Sequence, residues 1–321
     1  MENIILKTEN LKKYFPIKKT FLKRRANCVK AVDGVDLELK EGGILGIVGE
    51  SGSGKTTLAK TILGIYRPSE GEVYFKGDKI SNLRPNRMKA IRREIQYVYQ
   101  NPGASFDPWW RVGRSLEEPF KIHQTLPEQG MKKKVKDVLK SVGLEEDHIF
   151  RYPHEFSGGQ QRRLALARIL VLSPSLIIFD EPTSGLDVSI QATILKLLKK
   201  LRNDFGLTYI FISHDLEVVR LMSDKIAVMY LGTIVEYGNT EAVFMNPKHS
   251  YTQLLLAALP KIKDQYIEKD ILIQGEVPDP VNLPSGCRFW PRCPMASEIC
   301  SNKSPALETI EDGRKISCHQ I

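Results

Sequence analysis

The chain has 321 residues, of which 26% are charged and 42% hydrophobic, with a formal net charge of +9. This is an ordinary globular composition, with length for one large domain and a small extra module. No stretch approaches 18 unbroken apolar residues, and Met1-Glu2-Asn3-Ile4-Ile5 does not read as a secretory leader, so neither a membrane span nor a signal peptide is expected.

Near the N-terminus, Lys18-Lys19-Thr20-Phe21-Leu22-Lys23-Arg24-Arg25 concentrates positive charge between Tyr14 and a strand expected at Val29. A solvated loop and a patch facing an anionic membrane both fit such a run. Nucleic acid is not expected as a partner, because no recognition motif accompanies the charge. The apolar run Gly43-Ile44-Leu45-Gly46-Ile47-Val48 then reads as a buried parallel strand. It ends in Gly49-Glu50-Ser51-Gly52-Ser53-Gly54-Lys55-Thr56, and Thr56 to Leu63 has helical spacing. The pattern G-x-x-x-x-G-K-[ST] between strand and helix is that of a phosphate-binding loop. Glycines let backbone N–H groups curl toward an anion, and the helix N-terminus adds partial positive charge. ATP and Mg²⁺ contacts are therefore expected at Gly49, Ser51, Gly52, Ser53, Gly54, Lys55, Thr56 and Thr57. Lys55 would reach the β- and γ-phosphates, and the Thr56 hydroxyl would face Mg²⁺.

Strand-like Ile95-Gln96-Tyr97-Val98-Tyr99 precedes Gln100, after which the pattern turns helical and polar over Leu116 to His123 and Met131 to Val142. Asp107-Pro108-Trp109-Trp110 places two tryptophans there, suited to anchoring a partner helix or to the core. Ser157-Gly158-Gly159-Gln160 opens a helix expected to run to Val171. A second buried-strand pattern, Ser175 to Phe179, closes with Asp180-Glu181-Pro182. Two carboxylates where a buried strand emerges are costly unless used. Asp180 can hold Mg²⁺ through water, and Glu181 can polarise an attacking water as general base. Tyr209-Ile210-Phe211-Ile212-Ser213 leads into His214.

This ordered motif set resembles the ATP-binding cassette (ABC) ATPases from about Leu6 to Leu259, with Ser157-Gly158-Gly159-Gln160 similar to their signature and Asp180 to Asp187 to their Walker B and D-loop run. Phe156 stands where the family usually has Leu. The resemblance implies a head-to-tail dimer in which ATP on one phosphate loop meets, in trans, Ser157, Gly158, Gly159 and Gln160 of the other subunit, with Asp187 in the D-loop. It also implies roles for Gln100 as the Q-loop glutamine sensing Mg²⁺ and water, for His214 as the switch histidine at the γ-phosphate, and for Tyr14 as the aromatic stacked on adenine. Phe15 and Phe21 are alternatives to Tyr14.

After Leu259-Pro260 the pattern loosens, and four of the five cysteines, Cys287, Cys293, Cys300 and Cys318, fall in residues 261–321. So small a segment needs a staple, and stable disulfides are rare in the cytosol. That leaves metal. Four thiolates suit zinc or an iron–sulfur cluster. The gaps of 5, 6 and 17 residues (288–292, 294–299, 301–317) contain no tight zinc knuckle, and His319 keeps a Cys₃His zinc site open. The segment resembles the C-terminal region of oligopeptide/dipeptide importer ATPases, which implies a [4Fe–4S] cluster on the four cysteines, with Zn²⁺ as the alternative.

The expectation is an α/β fold: a P-loop NTPase core of ABC type over residues 1–260, with a β-subdomain and a helical subdomain at about 101–165, plus a cysteine-rich module over 261–321. The implied function is ATP hydrolysis powering di- or oligopeptide import at the cytoplasmic face of the plasma membrane. The implied partners are two integral membrane permease subunits, a second ATPase subunit or a second copy, and, indirectly, an extracytoplasmic binding protein. Nickel or oligosaccharide cargo, and a soluble ABC ATPase acting on nucleic acid or ribosomes, are the alternatives.

Overall fold

The structure, a computed structural model, describes residues 3–17, 28–99, 105–123, 126–259 and 276–321. The basic run 18–25, Gln100 and the expected boundary at 260 lie outside the described residues.

Strands β1 (Ile4–Pro16) and β2 (Cys28–Lys40) pair antiparallel; β3 (Ile44–Val48) enters the glycine-rich loop and α1 (Lys55–Ile62) leaves it. β4 (Glu70–Phe75) and β5 (Asp78–Lys79) follow, and α2 (Pro85–Glu94) runs straight into β6 (Ile95–Val98). Next comes a helical layer of α3 (Val112–His123), α4 (Glu128–Ser141) and α5 (Gly158–Leu170). β7 (Leu176–Asp180), α6 (Val188–Phe205), β8 (Thr208–Ile212), α7 (Leu216–Met222) and β9 (Lys225–Tyr230) alternate. β10 (Thr233–Asn239), α8 (Thr240–Met245) and α9 (Ser250–Ala257) end the cassette. The tail holds α10 (Glu298–Asn302), β11 (Glu308–Thr309) and β12 (Lys315–Ile316).

Two sheets result, an antiparallel one ordered β2-β1-β4-β5 and a larger one ordered β11-β12-β10-β9-β3-β8-β7-β6. In the larger sheet β9, β3, β8, β7 and β6 run parallel. Successive side chains point to opposite faces of a strand. Accordingly Ile44 and Val48 of β3, and Ile177 and Phe179 of β7, join a core shared with α3 to α7. Leu45, Ile47, Leu176 and Ile178 join a second core with β1, β2, β4 and α1. Both faces are covered, which is why these strands read as unbroken apolar runs. The phosphate loop, Asp180-Glu181 and His214 all follow the carboxyl ends of neighbouring parallel strands, where ligands of open α/β sheets bind.

The tail joins the cassette's larger sheet. β12 pairs with β10 through Glu236↔Ile316 and Tyr237↔Lys315, so the end of the chain completes the cassette's own sheet. Two-residue strands carry no periodicity from which this pairing could be read.

Candidate nucleotide site

Backbone crowding fixes the loop sequence at two glycines. Gly49 and Gly54 have φ of +147° and +106°, and a side chain at either would collide with a carbonyl oxygen, that of Met229 or Ala31. The Lys55 ammonium is held by the Gly49 carbonyl (2.7 Å), the Glu50 carbonyl (2.8 Å) and the Ser53 hydroxyl (3.3 Å). Burial lowers its pKa, against the raising influence of Glu181, Asp180 and Glu50. The Thr56 hydroxyl donates to Asp180 Oδ1 at 3.2 Å, and the Tyr97 hydroxyl donates to Oδ2 at 2.5 Å. Thus a residue the motifs did not flag holds the second oxygen of the buried Walker B aspartate.

Glu181 occupies the left-handed region at φ 52°, with its N–H on the Ile212 carbonyl (2.9 Å) and Oε1 3.2 Å from His214 Nδ1. The sheet therefore joins the acid after β7 to the histidine after β8. A cavity of about 410 Å³ opens beside the loop, lined among others by Phe15, Lys30, Ser51, Lys55, Thr56 and Glu181. Gly52, Gly54 and Thr57 also line it, and Gly49 and Ser53 shape the turn beneath. Tyr14 does not line it. The Tyr14 hydroxyl is spent on the Asp33 carboxylate, and the neighbouring Phe15 forms the aromatic wall. A register shift in β1 between Lys13 and Tyr14 decides which ring faces the cavity.

Ser157 caps α5: its Oγ accepts the Gln160 N–H (3.3 Å) while Gln160 Oε1 accepts the Ser157 N–H (3.0 Å), a capping box. Ser157 and Gly158 are exposed, Gly159 and Gln160 half-buried, and none lines the cavity of its own chain. Arg162, one turn along α5, donates to the Pro182 and Ser184 carbonyls and so ties this helix to the run after Glu181. Asp187 caps α6; the Ile190 N–H (2.9 Å) and then the Ser189 hydroxyl (2.7 Å) hold its carboxyl below the usual range. Trp109 is 86% exposed, while Trp110 is half-buried under the Arg114 guanidinium at 3.7 Å.

In the tail, Cys287, Cys293, Cys300 and Cys318 are free thiols. Burial raises the pKa of Cys287 against a lowering Phe289 N–H, and the nearby Cys300, Cys293 and Cys318 thiols raise it further. Donors face the sulfurs, with Gln320 N–H 3.4 Å from Cys318 Sγ and Ser297 Oγ 3.5 Å from Cys300 Sγ. His319 Nε2 is engaged with the Lys303 carbonyl at 2.7 Å. Among the described residues, the group of three metal-type side chains with ligand atoms within 4.8 Å of one another is Glu145, Asp147 and His148, not the cysteines.

The arrangement defines a phosphate-loop nucleotide-binding fold, with acids and a histidine on adjoining strand ends. The family model described as ABC transporter matches residues 32–184, and that described as oligopeptide/dipeptide transporter, C-terminal region, matches residues 235–300. The chain is 45% identical over 321 residues to the oligopeptide transport ATP-binding protein AppF of Bacillus subtilis, covering 99% of this chain and 98% of that one. It is 44% identical to the dipeptide transport ATP-binding protein DppF of Haemophilus influenzae, covering 99% and 97%. A solved dimer of the ATP-binding cassette MJ0796 in a post-hydrolysis state, bound to ADP and Pi, superposes with TM-score 0.64 at 31% identity, over 74% of this chain and 99% of that one. The chain belongs to the ABC ATPases, in the branch of oligopeptide/dipeptide transport ATP-binding proteins.

Proposed function

We propose that this chain is the ATP-hydrolysing subunit of an importer for dipeptides or oligopeptides. The observation that carries the reading is one cavity bounded by the phosphate loop and Glu181, on a chain whose relatives of similar length are named for peptide transport. In this reading the loop N–H groups and Lys55 bind the β- and γ-phosphates, and Phe15, rather than Tyr14, meets the adenine. Thr56 and Asp180 would hold Mg²⁺, which neutralises phosphate charge when bound. Glu181 takes the proton of the attacking water, and His214, its Nδ1 3.2 Å from Glu181 Oε1, orients that water and contacts the γ-phosphate. Gln100 is assigned the sensing role between this site and the membrane partner.

The exposed α5 N-terminus, outside the cavity of its own chain, supports a second subunit supplying Ser157, Gly158 and Gly159 in trans, with Asp187 lining the seam. Two permease subunits would bind the helical layer, and the assembly would sit on the cytoplasmic face. Among the described residues no helix is long and apolar enough to cross a membrane, so the pore is assigned to those permeases. Full-length likeness to peptide-transport ATPases does not favour the nucleic-acid or ribosome reading.

The tail's donor set fits a [4Fe–4S] cluster: four neighbouring free thiols with N–H and O–H groups on sulfur. Zinc–sulfur bonds of about 2.3 Å would draw the sulfurs to within about 4 Å of one another. The wider spacing and the engaged His319 therefore favour the larger cluster over Zn²⁺. The cluster would supply a structural tie, since ATP hydrolysis needs no electron transfer.

Uptake of a labelled tripeptide by cells lacking the chain tests the reading. Uptake should be lost, restored by the wild-type gene and not by Lys55→Ala; retained peptide uptake with lost nickel uptake would reassign the cargo. Anaerobically purified protein should be brown, with iron and sulfide in near-equal amounts. Stoichiometric zinc without iron would reject the cluster and spare the ATPase.

A further inference from the structure

The stretch from Cys287 to Cys293 carries two arginines, and both reach out of the tail, Arg292 to the phosphate loop and Arg288 to a residue lining the nucleotide cavity. Arg292 grips Glu50, the second residue of the phosphate loop, with Nη1 2.8 Å from Oε2 and Nη2 2.9 Å from Oε1. The pair is sheltered, with the Arg292 side chain 4% exposed. Arg292 Nη1 also lies 3.3 Å from the Tyr230 hydroxyl, and the Glu50 N–H donates to the Tyr251 hydroxyl at 2.8 Å. Phe289, between the two arginines in sequence, is buried with ring centroids 5.3 Å from both tyrosines. Arg288 donates to the Asp33 carboxylate and to the Leu231 carbonyl. Leu231 and Gly232 line the cavity, and the Gly232 N–H donates to the Ser53 carbonyl of the loop at 2.8 Å. Pro280, also from the tail, stands on the cavity wall.

These contacts act on a triphosphate in two ways. The bidentate fork fixes where Glu50, and with it the loop backbone, can sit. It also neutralises a carboxylate that is close enough to bear on the Lys55 ammonium. Freed of Arg292, that carboxylate would leave an uncompensated negative charge within electrostatic reach of Lys55 and the phosphates it binds.

We propose that Arg292 is a positioning residue for ATP, acting through Glu50, and that the segment between Cys287 and Cys293 couples the state of the cysteine site to nucleotide affinity. The inference deepens the reading of the cavity as an ATP site. Whatever holds the two cysteines holds the ends of the segment that carries both arginines. Because coupling is reciprocal, bound ATP should slow alkylation of these thiols in metal-free protein.

The test is the affinity of the full-length chain for a fluorescent ATP analogue, with KM and kcat for ATP alongside. Arg292→Ala should raise Kd and KM about 10-fold while leaving kcat nearly unchanged, within the usual range of coupling between sites. Arg292→Lys keeps the charge without the fork and should fall between that variant and wild type; it also carries the test if the alanine variant does not fold. Adding Glu50→Gln to Arg292→Ala should recover affinity or leave it unchanged, because the two side chains act as one unit. The proposal is overturned if Arg292→Ala and Arg292→Lys bind within about twofold of wild type, or if the losses of Glu50→Gln and Arg292→Ala simply add. Failure of the wild-type chain to bind ATP would instead sink the reading of the cavity.

Discussion

The cassette and the tail are stabilised by different physics. Strands β3, β7 and β8 are buried along their whole length between two apolar layers, and burial of this kind is non-directional and tolerant of local change. The described part of the tail buries only Phe289, Cys300 and Ile316 among its apolar and thiol side chains. What it buries besides is charge: Arg292 on Glu50, and Arg314 on Glu236, which is 0% exposed and also accepts the N–H groups of Lys248 and His249. A buried ion pair adds little net stability, yet losing one partner costs about 3–5 kcal/mol because the other is left charged and unpaired. The tail therefore borrows its fold from the cassette, and its anchor points are specific where the cassette's are generic.

The largest expected effect tests the cassette side of this contrast. Glu181→Gln keeps shape and hydrogen-bonding reach but cannot take a proton, so turnover should fall roughly 10²–10⁴-fold while ATP is retained and a closed dimer accumulates. Single-turnover measurement at saturating ATP checks it, and near-normal turnover would remove Glu181 from the role. The tail should be unaffected: its thiol reactivity in the variant should match wild type when neither carries nucleotide.

The same contrast explains what the sequence made legible. Uniformly apolar runs ending in Gly-rich, Asp-Glu or Ser-His-Asp segments mark β3, β7 and β8, and the structure sets those ends side by side. Phe15 rather than Tyr14 lines the cavity, and which of two adjacent aromatics takes that side follows from the strand's register, which no composition reveals. Tyr97 went unflagged as a partner of Asp180, since a tyrosine in a buried strand reads as core. The link of Arg292 to Glu50 spans 242 residues and has no local signal. The four cysteines were legible as a group from spacing, whereas the strand that joins their segment to the sheet was not. Gln100 lies outside the described residues, so its role stands on motif order.

A smaller effect probes the seam directly. Phe289→Ala removes the plug between Tyr230 and Tyr251 and should cost about 3 kcal/mol, the lower end for a buried phenylalanine. Hydrogen exchange should rise first across residues 276–321, with β3 and β7 still protected. Equal deprotection of β3 and β7 would show that tail and cassette unfold as one unit, and would break the contrast.

The smallest effect concerns pH at that seam. His249 caps α9, its Nδ1 accepting the Tyr251 N–H at 3.0 Å, and its ring lies 5.7 Å from Phe289. Burial drives its pKa from 6.5 down to about 4, partly offset by a hydrogen bond with the Ser317 backbone. The Glu236 carboxylate accepts the His249 backbone N–H and is in turn paired with Arg314. The folded protein thus favours neutral imidazole, and the unfolded chain takes up its proton first as pH falls. The contribution of His249 to stability is complete above the unfolded pKa of 6.5 and is lost as pH drops toward about 4. Between pH 7 and pH 5 that loss is about 2 kcal/mol. His249→Asn keeps a side-chain cap but cannot titrate. Denaturant unfolding at the two pH values should show the wild type losing about 2 kcal/mol more than the variant, with the influence of Glu236 present in both and cancelling. Parallel losses in the two proteins would mean that the folded imidazole takes up its proton as readily as the unfolded one, and that the seam tolerates a buried cation there just as it does at Arg314.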